Sequence, residues 1–129
     1  MSVMKNGWVW VMMVMFWVMT VKAQSPDRIN ARRFYSLMQQ HPKALLVDVR
    51  PAEKYRDYRI KGALPAPEKK DLLQLVNIVP TNDTIFLYCE KDIRTGAAAA
   101  ILDSLGYQHL YVLKGGLMSW RRNGYPIEH

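Results

Sequence analysis

From about residue 30 onward, apolar and polar positions alternate between two rhythms. Short continuous apolar runs of strand length are separated by stretches whose apolar residues recur three and four apart, the spacing of one helix face. Asn30 stands as an N-cap and predicts a helix over Ala31 to Gln40, with Phe34, Leu37 and Met38 on one side and Pro42 just past its end. The run Ala44 to Arg50 is apolar until its charged far end, as expected of a strand covered on both faces. Pro51 to Tyr58 can start a short helix, and Ile60 to Pro65 reads as a turn and a brief extended piece. Leu72, Leu75, Val76 and Val79 give Glu68 to Val79 a helical face, stopped by Pro80, Asn82 and Asp83. Thr84 to Tyr88 is a second strand. A helix follows from Thr95, its expected face being Ala97, Ala98, Ile101 and Leu105, with Gly106 just beyond its end. Tyr107 to Leu113 is a third strand, and Gly115-Gly116 opens a last short helix ending near Gly124 to Pro126.

Strand and helix therefore alternate within about 100 residues, which predicts an α/β sandwich around a parallel sheet. Ligands of such sheets bind beyond the carboxyl ends of the strands. A chain of 129 residues carries one domain of this size.

The first 23 residues break the pattern. Trp8 to Val21 carries no charge, Lys5 precedes it, and Val21-Lys22-Ala23 is a small-x-small sequence of the kind signal peptidases cut. Fourteen apolar residues are short of the roughly twenty that span a bilayer. Residues 1–23 are expected to be a signal peptide cleaved after Ala23, with an uncleaved membrane anchor as the alternative, and residues 24–29 a short polar lead-in to a domain over 30–127. The protein would then be exported, periplasmic or secreted. Without the leader, 106 of the 129 residues remain and Lys5 and Lys22 take the formal charge from +7 to +5. That modest excess is spread along the chain, which argues against nucleic acid and for small anions as partners.

One cysteine, Cys89, stands at the junction between the Thr84–Tyr88 strand and the helix from Thr95. A loop feeding a helix start turns backbone N–H groups inward and adds the positive end of the helix dipole, favouring thiolate chemistry. The alternative is a buried structural cysteine. Glu90, Lys91, Asp92 and Arg94 make the loop too polar to bury easily, so the functional reading leads. A lone cysteine has no internal disulfide partner, and a thiol kept in an oxidising compartment is either sheltered or used.

Several of these residues together resemble the single-domain rhodaneses, the thiosulfate sulfurtransferases and their relatives, in a small exported form. The resemblance rests on Leu46-Val-Asp48-Val-Arg50 with Glu53 and Tyr55, on Ile60-Lys-Gly62-Ala63, and on Tyr88-Cys89 through Arg94-Thr95. It continues through Ala98-Ala99, Leu102, Leu105-Gly106-Tyr107, Leu113-Lys-Gly115-Gly116, Trp120 and Gly124-Tyr-Pro126. It implies a three-layer sandwich with helices on both faces of a mostly parallel sheet. It also implies a nucleophilic Cys89 that takes a sulfane sulfur from thiosulfate or a persulfide and hands it to cyanide or a thiol. Glu90, Lys91, Asp92, Ile93, Arg94 and Thr95 would form the anion-binding loop, Asp48 and Arg50 a structural brace, and Gly62, Gly115, Gly116 and Trp120 backbone geometry and packing. No cofactor or metal is implied, and His41, His109 and His129 show no ligand spacing.

Two positions depart from that pattern: Asp92 stands where the family commonly has glycine, and Arg59 where it has histidine. Aspartate tolerates left-handed backbone, so the turn can survive. Its charge matters more, because Glu90 and Asp92 cancel Lys91 and Arg94 in the loop. Two unit charges about 5 Å apart are worth roughly 3 kcal/mol at an effective dielectric near 20, against about 0.3–1 kcal/mol for a helix terminus. An inward carboxylate would therefore weaken thiosulfate use and favour persulfides or less charged donors. Three other functions compete. Phosphatase or arsenate reductase chemistry typically needs five residues between cysteine and arginine, and this chain has four, with Tyr88 before the cysteine. A silent binding module would usually lack the cysteine, and a thiol-redox role lacks a second cysteine to resolve a disulfide.

Overall fold

The computed structural model describes residues 25–129. The leader and its cleavage site therefore lie outside the described residues. Among the described residues, no helix is long and apolar enough to cross a membrane.

Five strands form one wholly parallel sheet: β1 (Asp27–Ile29), β2 (Leu45–Asp48), β4 (Leu64–Pro65), β5 (Thr84–Tyr88) and β6 (His109–Leu113), in the order β1-β6-β5-β2-β4. Two more, β3 (Arg59–Ile60) and β7 (Ile127–Glu128), pair antiparallel in a small ribbon. The helices are α1 (Ala31–Gln40), α2 (Ala52–Asp57), α3 (Lys69–Val76), α4 (Thr95–Ser104) and α5 (Gly116–Arg122). Strand side chains alternate between faces, and each face has its own core. Val47, Ile85, Leu87, Leu110 and Val112 pack with Leu72 and Val76 of α3 and Ala98, Ala99 and Leu102 of α4. Leu46, Phe86, Tyr88 and Leu113 pack with Phe34 of α1 and Leu117 and Trp120 of α5. Each large apolar side chain so buried contributes about 1.5–3 kcal/mol. The result is the expected three-layer α/β sandwich.

Local chemistry sets the boundaries. The Asn30 side chain accepts from the Arg33 amide at 2.9 Å, so α1 starts where its cap demands. Glu68 and Asp71 form a capping box for α3. Gly106 adopts φ +90° just past α4, as its C′ position requires.

Three expectations need correction. Residues 27–29, read as part of a polar lead-in, are a sheet strand; Asp27 and Arg28 are exposed at the sheet edge, so only Ile29 carries an apolar signal. The inward face of α4 is Thr95, Ala98, Ala99 and Leu102, while Ala97 and Leu105 are exposed. The unbroken run Ala97 to Ala100 gives periodicity no phase to read. Helix α3 ends at Val76 rather than Val79: the Val79 amide turns back to the Val76 carbonyl at 2.9 Å, and the Tyr107 hydroxyl is shared between the carbonyls of Val76 and Val79, which leaves Tyr107 outside β6.

Candidate active site

Cys89 follows directly on the carboxyl end of β5, the middle strand of the sheet, and the loop 90–94 carries the chain over to α4. The loop is fastened both from α5 and by contacts of its own. From α5, the Leu117 amide donates to the Cys89 carbonyl at 2.8 Å and the Met118 amide to the Glu90 carbonyl at 3.4 Å. A trans peptide sets its N–H opposite its C=O, so the amides of Glu90 and Lys91 face away from α5. Within the loop, Asp92 takes φ +107° and donates its amide to Cys89 Sγ at 3.0 Å. The Thr95 hydroxyl donates to the Asp92 carbonyl at 3.2 Å and its oxygen lies 3.9 Å from Sγ. The sulfur is therefore served by one main-chain donor at hydrogen-bond distance, and the Thr95 oxygen stands near it as an acceptor.

The close approach of α5 requires Gly116. A Cβ there would sit 2.5 Å from the Cys89 carbonyl oxygen and closer still to that of Glu90, and Gly116 has φ +59°. Gly116→Ala is expected to cost about 2 kcal/mol or more, from backbone strain and overpacking together. It should also lower any activity of Cys89 by about tenfold or more as the loop carbonyls shift. Urea titration and steady-state rates check both; a parent-like variant would show that α5 does not set the loop.

Beneath the loop lies a buried polar network. Arg50, 1% exposed, donates from Nε to both Asp48 carboxylate oxygens at 3.0 Å and from Nη2 to Asp48 Oδ2 at 2.8 Å. It also donates to the Tyr58 carbonyl at 2.5 Å and to Glu90 Oε2 at 3.1 Å. The Tyr88 hydroxyl donates to Asp48 Oδ2 at 2.6 Å and accepts from the Ile60 amide at 3.1 Å. Burial alone would weaken the Arg50 charge, but Asp48 and then Glu90 outweigh it and hold the guanidinium above its ordinary pKa. Burial first, and the Asp48 charge second, push the Tyr88 phenol above its ordinary value. Asp48 and Arg50 thus tie β2 to the two residues flanking Cys89, Tyr88 and Glu90.

The remaining loop residues divide. Asp92 Oδ2 accepts from Arg28 Nη2 at 2.6 Å and from the Gly115 amide at 2.9 Å, and its Oδ1 has no hydrogen-bond partner among the described residues. Arg94 reaches away to the Pro67 carbonyl at 2.6 Å, and Lys91 and Ile93 are exposed. Neither carboxylate is free: Glu90 is paired with Arg50 and Asp92 with Arg28. Both loop carboxylates thus have a cation partner, while Asp92 Oδ1 is buried without one among the described residues. Arg59, the second departure, pairs with Glu128 at 3.2 Å and donates to the Tyr55 carbonyl at 2.8 Å, tying β3 to β7. Cys89 itself is only 2% exposed, so a donor reaches the sulfur when the loop gives.

A cleft of about 350 Å³ lies beside the loop, between Ile93, Arg94 and Ala98 on one side and Pro67 and Leu72 on the other. A larger groove of about 1170 Å³ lies at the opposite, amino ends of β2, β5 and β6, lined by Leu45, Thr84 and His109. It is remote from the sulfur, and the chemistry of a parallel sheet belongs at the other end. Among the described residues, no cluster of three or more His, Cys, Asp or Glu side chains is placed to hold a metal ion. Sequence reasoning missed Arg28, the hydroxyl of Tyr88 and the docking of α5 on the loop carbonyls. Only the last had a signal, the Gly115-Gly116 pair.

A family model described as a rhodanese-like domain matches residues 30–123. The chain is 37% identical over 78 residues to the uncharacterized protein YqhL of Bacillus subtilis, covering 60% of this chain and 61% of that one. It is 35% identical over 65 residues to the thiosulfate sulfurtransferase PspE of Escherichia coli, covering 50% and 62%. These matches span about three fifths of the length of both relatives. The solution structure of the rhodanese-like domain of Alr3790 from Anabaena superposes with a TM-score of 0.70 at 29% identity, covering 81% of this chain and 80% of that one.

Proposed function

This chain belongs to the rhodanese-like domain family, with thiosulfate sulfurtransferases among its relatives, and from that premise we propose that Cys89 carries sulfur as a persulfide. The observation that carries the reading is the Asp92 amide aimed at Sγ from 3.0 Å, at the carboxyl end of the central strand. The Cys89 thiolate attacks the sulfane sulfur of thiosulfate. The sulfur–sulfur bond of the donor breaks, sulfite leaves with its electron pair, and the enzyme holds Cys–S–S⁻. Cyanide or a thiolate then attacks the outer sulfur, forming thiocyanate or a new persulfide and returning the Cys89 thiolate. Atoms and charge balance in both steps without an external oxidant or reductant. An alkyl persulfide serves as donor in the same way. The amides of Glu90 and Lys91, turned from α5, would bind the anion, joined by the Thr95 hydroxyl once it turns from the Asp92 carbonyl, with Asp48 and Arg50 bracing the loop. Export on the strength of the 1–23 leader is part of the proposal.

Incubating the protein exported by its host with thiosulfate, then weighing it intact, tests all of this. One added sulfur, about 32 Da, removed by cyanide with release of thiocyanate, is the expected result, on a chain that begins at Gln24. Absence of an adduct from either thiosulfate or an alkyl persulfide would sink the enzyme reading in favour of a binding module.

A further inference from the structure

We propose that Arg28 determines which sulfur donors the loop accepts, by holding the Asp92 carboxylate out of the anion site; the proposal rests on the sulfurtransferase reading above. Asp92 has two opposed duties in the structure. Its amide is the main-chain donor on Sγ, and its side chain brings a negative charge within a few bonds of the same sulfur. The charge is held through one oxygen only, Oδ2, which takes Arg28 Nη2 at 2.6 Å and the Gly115 amide at 2.9 Å. Oδ1 has no partner among the described residues to share that hold.

No other loop cation is placed to replace Arg28. Arg50 is committed to Asp48 and Glu90, Arg94 bonds the Pro67 carbonyl, and Lys91 is exposed. Arg28 lies on β1, just ahead of the residues matched by the family model, while Asp92 and Gly115 lie within them. It joins strand to loop across 64 residues of sequence. A carboxylate released from it would stand against incoming anions, and Coulomb repulsion on a dianion is about twice that on a monoanion. The Arg28 side chain is 57% exposed, so salt weakens its hold.

Two donors of the same sulfane chemistry separate the effect by charge: thiosulfate, a dianion, and an alkanethiosulfonate, a monoanion. Arg28→Ala should raise KM for thiosulfate about fivefold and for the monoanion about twofold, with kcat little changed, and Arg28→Lys should restore most of the loss. In an Asp92→Gly background, Arg28→Ala should change neither KM. A rise in that background equal to the rise in the parent would show Arg28 acting on donors directly, and overturn the proposal. An equal loss with both donors, carried in kcat and accompanied by faster hydrogen exchange across 89–95, would show a simple brace and overturn it too. A parent protein that forms no persulfide from either donor would overturn the sulfurtransferase reading and this proposal with it.

Discussion

Cys89→Ser is expected to end sulfur transfer, lowering the rate by roughly three orders of magnitude or more, while the fold persists. Serine keeps the shape of the site, and its oxygen can accept the Asp92 amide that Sγ now receives at 3.0 Å. An alkoxide is far less accessible than a thiolate at neutral pH, and oxygen cannot carry a sulfane sulfur through a persulfide. Because the side chain is buried in an apolar cluster, the swap should cost no more than about 1–2 kcal/mol. Thiocyanate release, intact mass and urea unfolding measured side by side check it. Continued turnover by the serine variant would remove the persulfide from the mechanism.

Asp48→Ala should have the largest effect on stability. Arg50 is 1% exposed and Asp48 fully buried, so deleting the carboxylate leaves a buried guanidinium whose remaining partners are the Tyr58 carbonyl and the single oxygen of Glu90. It also takes from Tyr88 the oxygen to which its hydroxyl donates. Breaking such a pair from one side costs about 3–5 kcal/mol, a large part of the 5–15 kcal/mol that holds a small domain together. If the single variant fails to fold, the double variant Asp48→Leu with Arg50→Met keeps the test open. Replacing both partners with apolar groups of similar volume is often neutral or stabilising. The double variant should therefore regain most of the stability in urea while losing activity, because Glu90 is no longer anchored. A double variant with full activity would show that the brace does not position the loop.

The surroundings of the sulfur were legible where local chemistry governs. The apolar run Thr84 to Tyr88, the polar loop and the small-residue helix fix the strand-loop-helix unit that carries Cys89, and the helix begins at Thr95 as its sequence predicts. The family resemblance, rather than the apolar run itself, implied Asp48 and Arg50 as a brace, and their carboxylate and guanidinium do meet. The aspartate in the loop was expected to tolerate a left-handed backbone and does so at φ +107°. What stayed hidden depends on contacts between distant segments. Strand β1 has only three residues and two face water, so nothing in it alternates. The direction of the Asp92 carboxylate depends on Arg28, 64 residues earlier, and on the Gly115 amide, 23 residues later. Net charge counted along the loop could not reveal either contact. The phase of α4 was lost for a third reason: four consecutive alanines look alike from every side, and Thr95 and Leu102 decide which faces the sheet.

On the persulfide mechanism proposed above, the near-complete burial of Cys89 also bears on how long a loaded protein survives. A terminal persulfide sulfur is readily oxidised, and the higher oxides of cysteine are not reversed by ordinary thiols. Enclosed by loop 90–94 and the core it shares with Ala98 and Ala99 of α4, the sulfur meets peroxide only as often as that enclosure breathes. One wall would then govern both donor uptake and oxidative loss, so substitutions that quicken loading should also shorten the working lifetime in air.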